Sequence, residues 1–410
     1  MSISTAATIR QTCRLCDSSR IKGALELKPT ALCDAYLASP KKQERYPLAL
    51  QLCEDCGFVQ LSCVVDPEEI YRNYIFVTTS SSPLAQHFAG YAADVLASTG
   101  NVEPAKVVDI GSNDGTLLKE FQKKGCLVLG IEPAREIARE ATSSGIQTIP
   151  EFLNEASVKE ALEYLGPADL VTVNNLFANV DDLAGFVSHV RALLKKGGHL
   201  VIESSYLKDM LENMVFDFIY HEHLSYFSIE PLVKFFKKQE MTLVDVAPVP
   251  TKGGSLRYFI KNEKTSLEVA GRLQKMIENE RQSELDNIST YRKFAELVSR
   301  AKSDVKEVLN SYPLGSVVGY GASATSTTLI EMFELSGDLA FLVDDFDAKQ
   351  NTFSPGVHIP VKAPDKIYES GVEVVLILAW RYASQIISRH QGFKGDFIVP
   401  LPQLKITRSK

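Results

Sequence analysis

The chain has 410 residues, 45% hydrophobic and 23% charged, which is ordinary globular usage and allows real cores in two or three domains. Its net charge of −7 argues against a general affinity for nucleic acid or an anionic membrane surface. The opening MSISTAATIRQTC lacks the apolar core of a signal peptide, and no apolar run approaches the about 18 residues of a membrane span, so a cytoplasmic protein is expected.

The first elements in chain order are cysteine pairs. Six of the seven cysteines fall before residue 80. Cys13-Arg-Leu-Cys16 and Cys53-Glu-Asp-Cys56-Gly57 read as two knuckles that bring four thiolates to one tetrahedral zinc ion. Four protein ligands leave no open position, so the metal is expected to be structural. The 36 residues between the pairs leave room for a β insertion. Cys33 and Cys63 lack a partner at ligand spacing and read as core thiols. Unmetallated, reduced cysteines are the alternative.

Strands and helices alternate from about residue 85 to 260, with buried parallel strands expected at 107–110, 127–132, 170–174 and 199–203. The stretch VVDIGSNDGTLLKEFQKKGCLVLGIE is strand, glycine loop, helix and strand. Its loop carries Asp109, Gly111, Ser112, Asn113 and Gly115, and Glu132 ends the second strand, where a carboxylate suits ribose hydroxyls. The loop is not the G-x-G-x-x-G that cradles a pyrophosphate, so an adenosine ligand without phosphates fits better. The later run LLKKGGHLVIE, read as a helix end, a G-G turn and a strand, makes S-adenosylmethionine (SAM) the expected ligand. Asn174 and Asn175 end the intervening strand at the ligand-binding edge.

Tyr220-His221-Glu222-His223 follows beyond that edge. It reads as general-base chemistry, with Glu222 orienting an imidazole or acting itself and Tyr220 donating to an oxyanion. A second metal site and a structural turn are the alternatives. Residues 282–310 form an amphipathic helix stopped by Pro313, and a second α/β unit begins at 316. Its loop, read as Gly319-Tyr320-Gly321-Ala322-Ser323-Ala324, matches G-x-G-x-x-A with Asp344 beyond it. It could bind NAD, hold the diphosphate of another substrate, or simply close a Rossmann-like fold. The expected architecture is α/β: a zinc-binding module at 1–80, a SAM-binding Rossmann-like domain at 81–262, and a helical connector with a C-terminal Rossmann-like domain at 263–410.

The four cysteines, YRNYIFVTTSSS, VVDIGSNDG, YHEHLSYFS, KGGSLRYFI, VGYGASATSTTL, VDDFDAKQNTFSPGVHIPV and LILAWRYA occur in this order over nearly the whole chain. In these motifs it resembles the nucleotide-sugar C-methyltransferases, including the C-3′-methyltransferase of tetronitrose biosynthesis. The resemblance implies structural zinc, SAM, a C-terminal Rossmann-like domain without NAD, and a monomer. It also implies a dTDP-linked 4-keto deoxysugar methylated at carbon. It places His223 as the base, with Tyr220, Glu222 and Tyr74 around the sugar. Phe177 and Asn179 are expected at the substrate, with Asn179 where the family often has histidine. Gly319, Gly321, Ala322 and Ser323 are a candidate diphosphate cradle. An NAD-dependent oxidoreductase, an O- or N-methyltransferase, and a non-catalytic scaffold are the competing functions.

Overall fold

The computed structural model describes residues 6–71, 82–100, 104–264 and 270–408. The N-terminal part is built of β1 (Ala7–Ile9), β2 (Ile21–Thr30), β3 (Tyr46–Cys53), β4 (Val59–Leu61) and β5 (Cys63–Val65). β2 and β3 are an antiparallel pair that fills the space between the two cysteine knuckles. In β3, Tyr46, Leu48, Leu50 and Leu52 are buried on one face while Pro47, Ala49 and Gln51 are less so, the period-two pattern of a strand with one face on a core.

The central part contributes β6 (Lys106–Ile110), β7 (Leu127–Ile131), β8 (Thr148–Ile149), β9 (Ala168–Asn174), β10 (Leu194–Ser205), β11 (Ser225–Tyr226), β12 (Thr242–Val249) and β13 (Ser255–Lys261). Seven of these form one sheet in the order β12-β13-β10-β9-β6-β7-β8, with β13 antiparallel to both neighbours. The chain leaves β6 in one direction and returns to β9 on its other side. That reversal opens a crevice at the C-terminal strand ends, where ligands bind in such sheets. The run Lys195-Lys196-Gly197-Gly198, expected as a helix end, is instead an irregular start to β10, with a register shift between Leu194 and His199. The helix Leu183–Leu193 has already stopped, and the Asn262 amide donates to the Leu194 and Lys195 carbonyls at 3.3 and 3.2 Å. Gly198 lies so close to the carbonyls of Ala168 and Asp169 that an added Cβ would crowd them at 3.0–3.2 Å.

β11 does not join that sheet. It pairs with β4, giving a second sheet of order β11-β4-β3-β2 shared between the N-terminal and central parts. The C-terminal part carries β14 (Val317–Tyr320), β15 (Leu339–Val343), β16 (Val361–Lys362), β17 (Val374–Ile377), β18 (Asp396–Val399) and β19 (Lys405–Arg408). These run β16-β15-β14-β17-β18-β19, parallel except for β19. The amphipathic segment begins later than expected: the helix is Ile288–Leu309, with the Asn287 side chain accepting from the Ser289 N–H. No helix among the described residues is long and apolar enough to cross a membrane.

The apolar cores cross the sequence divisions. Cys13, Leu15 and Phe58 share a core with Phe177, Phe227 and Phe236, while Leu48, Leu50 and Leu52 share another with Phe216, Phe333 and Val374.

Candidate metal centre and active site

Both cysteine knuckles turn through a left-handed residue directly after the second cysteine, Asp17 (φ 62°) and Gly57 (φ 79°). The Asp17 N–H donates to the Cys13 carbonyl and the Gly57 N–H to the Cys53 carbonyl, both at 2.9 Å. Cys13 and Cys56 sulfurs lie 3.6 Å apart, as do those of Cys16 and Cys53, and all four fall within 4.8 Å of one another. Thiolates about 2.3 Å from a central zinc would sit about 3.8 Å apart, so the donor set fits a tetrahedral S4 zinc site. This is the sole such cluster of metal-ligating side chains among the described residues, and His221 and His223 form no second one.

At the sheet edge, Gly111 (φ 72°), Asn113 (φ 49°) and Gly115 (φ 73°) carry the loop through three left-handed turns into the helix Thr116–Gln122. The buried Glu132 carboxylate accepts the Asn113 N–H at 2.9 Å and the Ala134 N–H at 2.8 Å. Each oxygen keeps lone-pair capacity for a ligand hydroxyl. Burial pushes this carboxyl upward against those two donors. Asp109 takes the Thr172 hydroxyl at 2.6 Å and is driven up to about 7 by burial, so it braces β6 against β9 beneath the loop. Ser112 also faces inward: a Cβ on Gly130 would fall 2.4 Å from its Oγ. The left-handed loop and the anchored Glu132 fit an adenosine ligand, with Asp109 and Ser112 supporting from below. Asn174 ends β9, and Asn175 (φ 56°) follows it in a left-handed turn.

Next to this crevice lies a cavity walled by Asn175, Ala178, Ser204, Ser205, Tyr206, Phe218, His223, Ser225, Tyr226 and Lys252, among others. The buried Ser225 hydroxyl on this wall has no hydrogen-bond partner among the described residues and is free to meet a polar group in the cavity. The Tyr220–His223 run is a turn, neither strand nor helix, so its two histidines face different ways. His221 is buried and donates Nε2 to the Pro47 carbonyl at 3.1 Å, packing edge-on to Tyr46. His223 turns to the cavity. Its Nδ1 donates to the Phe218 carbonyl at 2.9 Å, and its ring lies against Phe218 and Tyr220 at 5.7 and 4.3 Å between centroids. With the proton on Nδ1, Nε2 carries the free lone pair. Burial, reinforced by Lys252, lowers His223 to about 4, so the ring is neutral near pH 7. Glu222 is pushed up to about 7 by burial and by Asp34.

Several expected residues lie elsewhere. Phe177 is fully buried, stacked on Phe227 at 5.1 Å, and belongs to the aromatic core. The cavity wall is made by its neighbours Asn175 and Ala178, with Asn179 half-buried in the short turn Phe177–Asn179. Gly319 is inside β14, where a Cβ would strike Leu342 and Leu378 at 2.6 and 2.8 Å, so it serves sheet packing. Tyr320 is likewise strand. In the true loop, Gly321 (φ 112°) passes Ala379 too closely for a side chain. The Ala322 N–H is taken by Asp344 Oδ2 at 2.6 Å, and Ser323 is engaged in a capping box with Ser326. Asp344, which completes the dinucleotide-like pattern in the sequence, thus satisfies the loop itself. Tyr74 lies outside the described residues.

Sequence reasoning missed the charged groups that frame the cavity. Glu203, at the end of β10, accepts from His87 Nε2 at 2.7 Å and from Arg257 at 2.9 and 3.0 Å. Asp217 accepts from Trp380 Nε1 at 2.9 Å and from Arg381 at 3.0 Å, tying the central part to the C-terminal one. Lys252 stands on the cavity wall itself. Its signal was the Lys-Gly-Gly of KGGSLRYFI, a cation beside two residues free to adopt unusual backbone.

Three family models match in succession: "Putative zinc binding domain" over residues 13–71, "Methyltransferase domain" over 84–246 and "C-methyltransferase C-terminal domain" over 250–402. The chain is 30% identical over 367 residues to the C-methyltransferase NovU of Streptomyces niveus, covering 88% of this chain and 87% of that one. It is also 30% identical to the ubiquinone biosynthesis O-methyltransferase of Escherichia coli O127:H6, over 27% of this chain and 45% of the other. Among solved structures, the magnesium protoporphyrin IX methyltransferase of Synechocystis PCC 6803 with bound SAH aligns at a TM-score of 0.35 and 15% identity, over 47% of this chain and 91% of that one. The match to NovU runs through all three modules, and on that match the chain belongs to the SAM-dependent C-methyltransferases with an N-terminal zinc-binding domain.

Proposed function

We propose that this enzyme methylates a nucleotide-linked 4-keto deoxysugar, dTDP-linked by family resemblance, at C-3 next to the ketone. The observation that carries the reading is the His223 Nδ1–H···O=C bond to Phe218, which leaves Nε2 as a lone-pair base on a cavity beside the sheet edge. A C–H bond next to a ketone is acidic enough for such a base because the electron pair moves into an enolate. His223 Nε2 takes the C-3 proton as the carbonyl π pair moves onto the C-4 oxygen. Bound SAM would supply an electrophilic methyl, which the C-3 carbon would take as the C–S bond breaks and the ketone re-forms. Tyr220, packed on the imidazole at 4.3 Å between centroids, helps hold the ring in place. His223 then returns its proton to solvent. The residues position the two reacting carbons and exclude water, which accounts for much of the acceleration.

The test is a dTDP-4-keto-deoxyhexose incubated with SAM and enzyme. Product NMR should show a new C–CH3 singlet and no O–CH3 or N–CH3 signal. His223→Asn should lower kcat by about 10²–10⁴-fold with SAM affinity nearly unchanged. Turnover of that variant at the wild-type rate would remove His223 as the base.

A further inference from the structure

We propose that the Lys252 ammonium is the cation that receives the negative charge developing on the ketone oxygen during proton removal. The inference deepens the enolate reading and rests on it. Lys252 and His223 stand on the same cavity wall. The ketone oxygen is two bonds from the carbon that loses its proton, so whatever stabilises that oxygen must share the cavity with the base.

The backbone is shaped to deliver this side chain. Lys252 has φ 56° and ψ 24°, a left-handed conformation that a non-glycine residue seldom adopts, and Gly253 (φ 86°) and Gly254 (φ 128°) continue it. Both glycines are pressed on the segment that precedes the catalytic turn. A Cβ on Gly253 would fall 2.9 Å from Val215, and one on Gly254 would fall 2.3 Å from Asp209. Only glycine fits at these two positions, which holds the turn carrying Lys252 close against that segment.

The charge is not consumed by the protein. Among the described residues, Lys252 makes no ion pair within 4.0 Å, although the Glu203 and Glu222 carboxylates act on it, Arg381 opposes them and the neutral His223 ring faces the same cavity. Glu203 is already occupied by His87 and Arg257. A partly buried ammonium held off its neighbouring acids is poised for an anion that arrives with the reaction. An enolate oxygen is such an anion, and it is present only in the transition state and intermediate. Stabilising it raises kcat, whereas a contact to the substrate diphosphate would lower KM.

The experiment compares wild type, Lys252→Met and Lys252→Arg on a dTDP-4-keto-deoxyhexose. Steady-state kinetics with SAM are paired with deuterium wash-in at C-3 in the presence of S-adenosylhomocysteine. Calorimetric S-adenosylhomocysteine binding and thermal melting establish that each variant is folded. The expected result for Lys252→Met is a kcat loss of about 10²–10³-fold, a KM within threefold of wild type and a parallel loss of wash-in. Lys252→Arg should recover part of both rates. A raised KM with unchanged kcat, or wash-in at the wild-type rate, would overturn the role of Lys252 while leaving the enolate reading intact. Absence of both methylation and wash-in with the wild-type enzyme would remove the enolate reading, and the Lys252 role with it.

Discussion

His221 and His223 are two positions apart and do different work. A turn sends one ring into the core, where it donates to Pro47, and the other to the cavity, where Phe218 selects its tautomer. The pH dependence should report His223 and Lys252. Burial and Lys252 hold His223 down to about 4, so its base form persists as pH falls and is lost only through that value. Burial lowers Lys252 to about 8 against the opposing pull of Glu203 and Glu222, with Arg381 adding to the fall, so its ammonium is lost as pH rises through that value. The profile of kcat/KM should therefore be flat from about pH 5 to 7, with an acid limb near 4 and an alkaline limb near 8. Lys252→Met should abolish the alkaline limb. An acid limb near 6.5 would instead mean an exposed, unperturbed histidine as the base.

At the scale of elements, the cysteine knuckle and the Tyr220–His223 turn are joined. Arg14 sits between Cys13 and Cys16 with its side chain buried. Its Nη1 donates to the carbonyls of Leu61 and Leu224 at 2.9 and 3.1 Å, and its Nε to Asp181 at 2.8 Å. Leu224 follows His223 directly and precedes β11, which is itself paired with β4. The metal module therefore supplies both a strand partner and a clamp for the turn that carries His223. Cys56→Ser should lower the bound zinc content and the melting temperature together, and should depress kcat through the turn that carries His223. Elemental analysis and thermal unfolding check this. A metal-free protein with wild-type stability would show the site to be dispensable.

At the scale of the molecule, the modules share cores and meet through buried ionic contacts. Asp217 is fully buried and collects Trp380 and Arg381, and Arg381 also lies over the Phe218 ring at 4.5 Å. Phe218 is the residue whose carbonyl orients His223, so this inter-module contact borders the proposed base. Asp217→Ala leaves the indole N–H and guanidinium without their acceptor and should cost about 3–5 kcal/mol of stability. Urea unfolding measures it, and a loss below about 1 kcal/mol would mean the contact is not what joins the central and C-terminal parts.

The elements most legible in the sequence were those whose signal is local. The four cysteines announced a tetrathiolate because ligand spacing is a local property, and the strand–loop–helix–strand from Val107 to Glu132 announced a nucleoside site because periodicity and glycine are local too. The residues expected at the substrate were less legible. Phe177 and Gly319 sit within recognisable motifs yet serve packing, since motif membership does not say which face a side chain takes. The Gly319 loop matched a dinucleotide pattern, but Asp344 uses the loop N–H that the pattern assigns to a ligand. The cysteine pairs, the nucleoside loop and the ordered family motifs could be read from the sequence by itself, because each is a pattern of residue types and spacings along the chain. Only the tertiary structure decided which histidine faces the cavity, which tautomer it holds and that Lys252 stands beside it, because those follow from contacts among segments far apart in sequence.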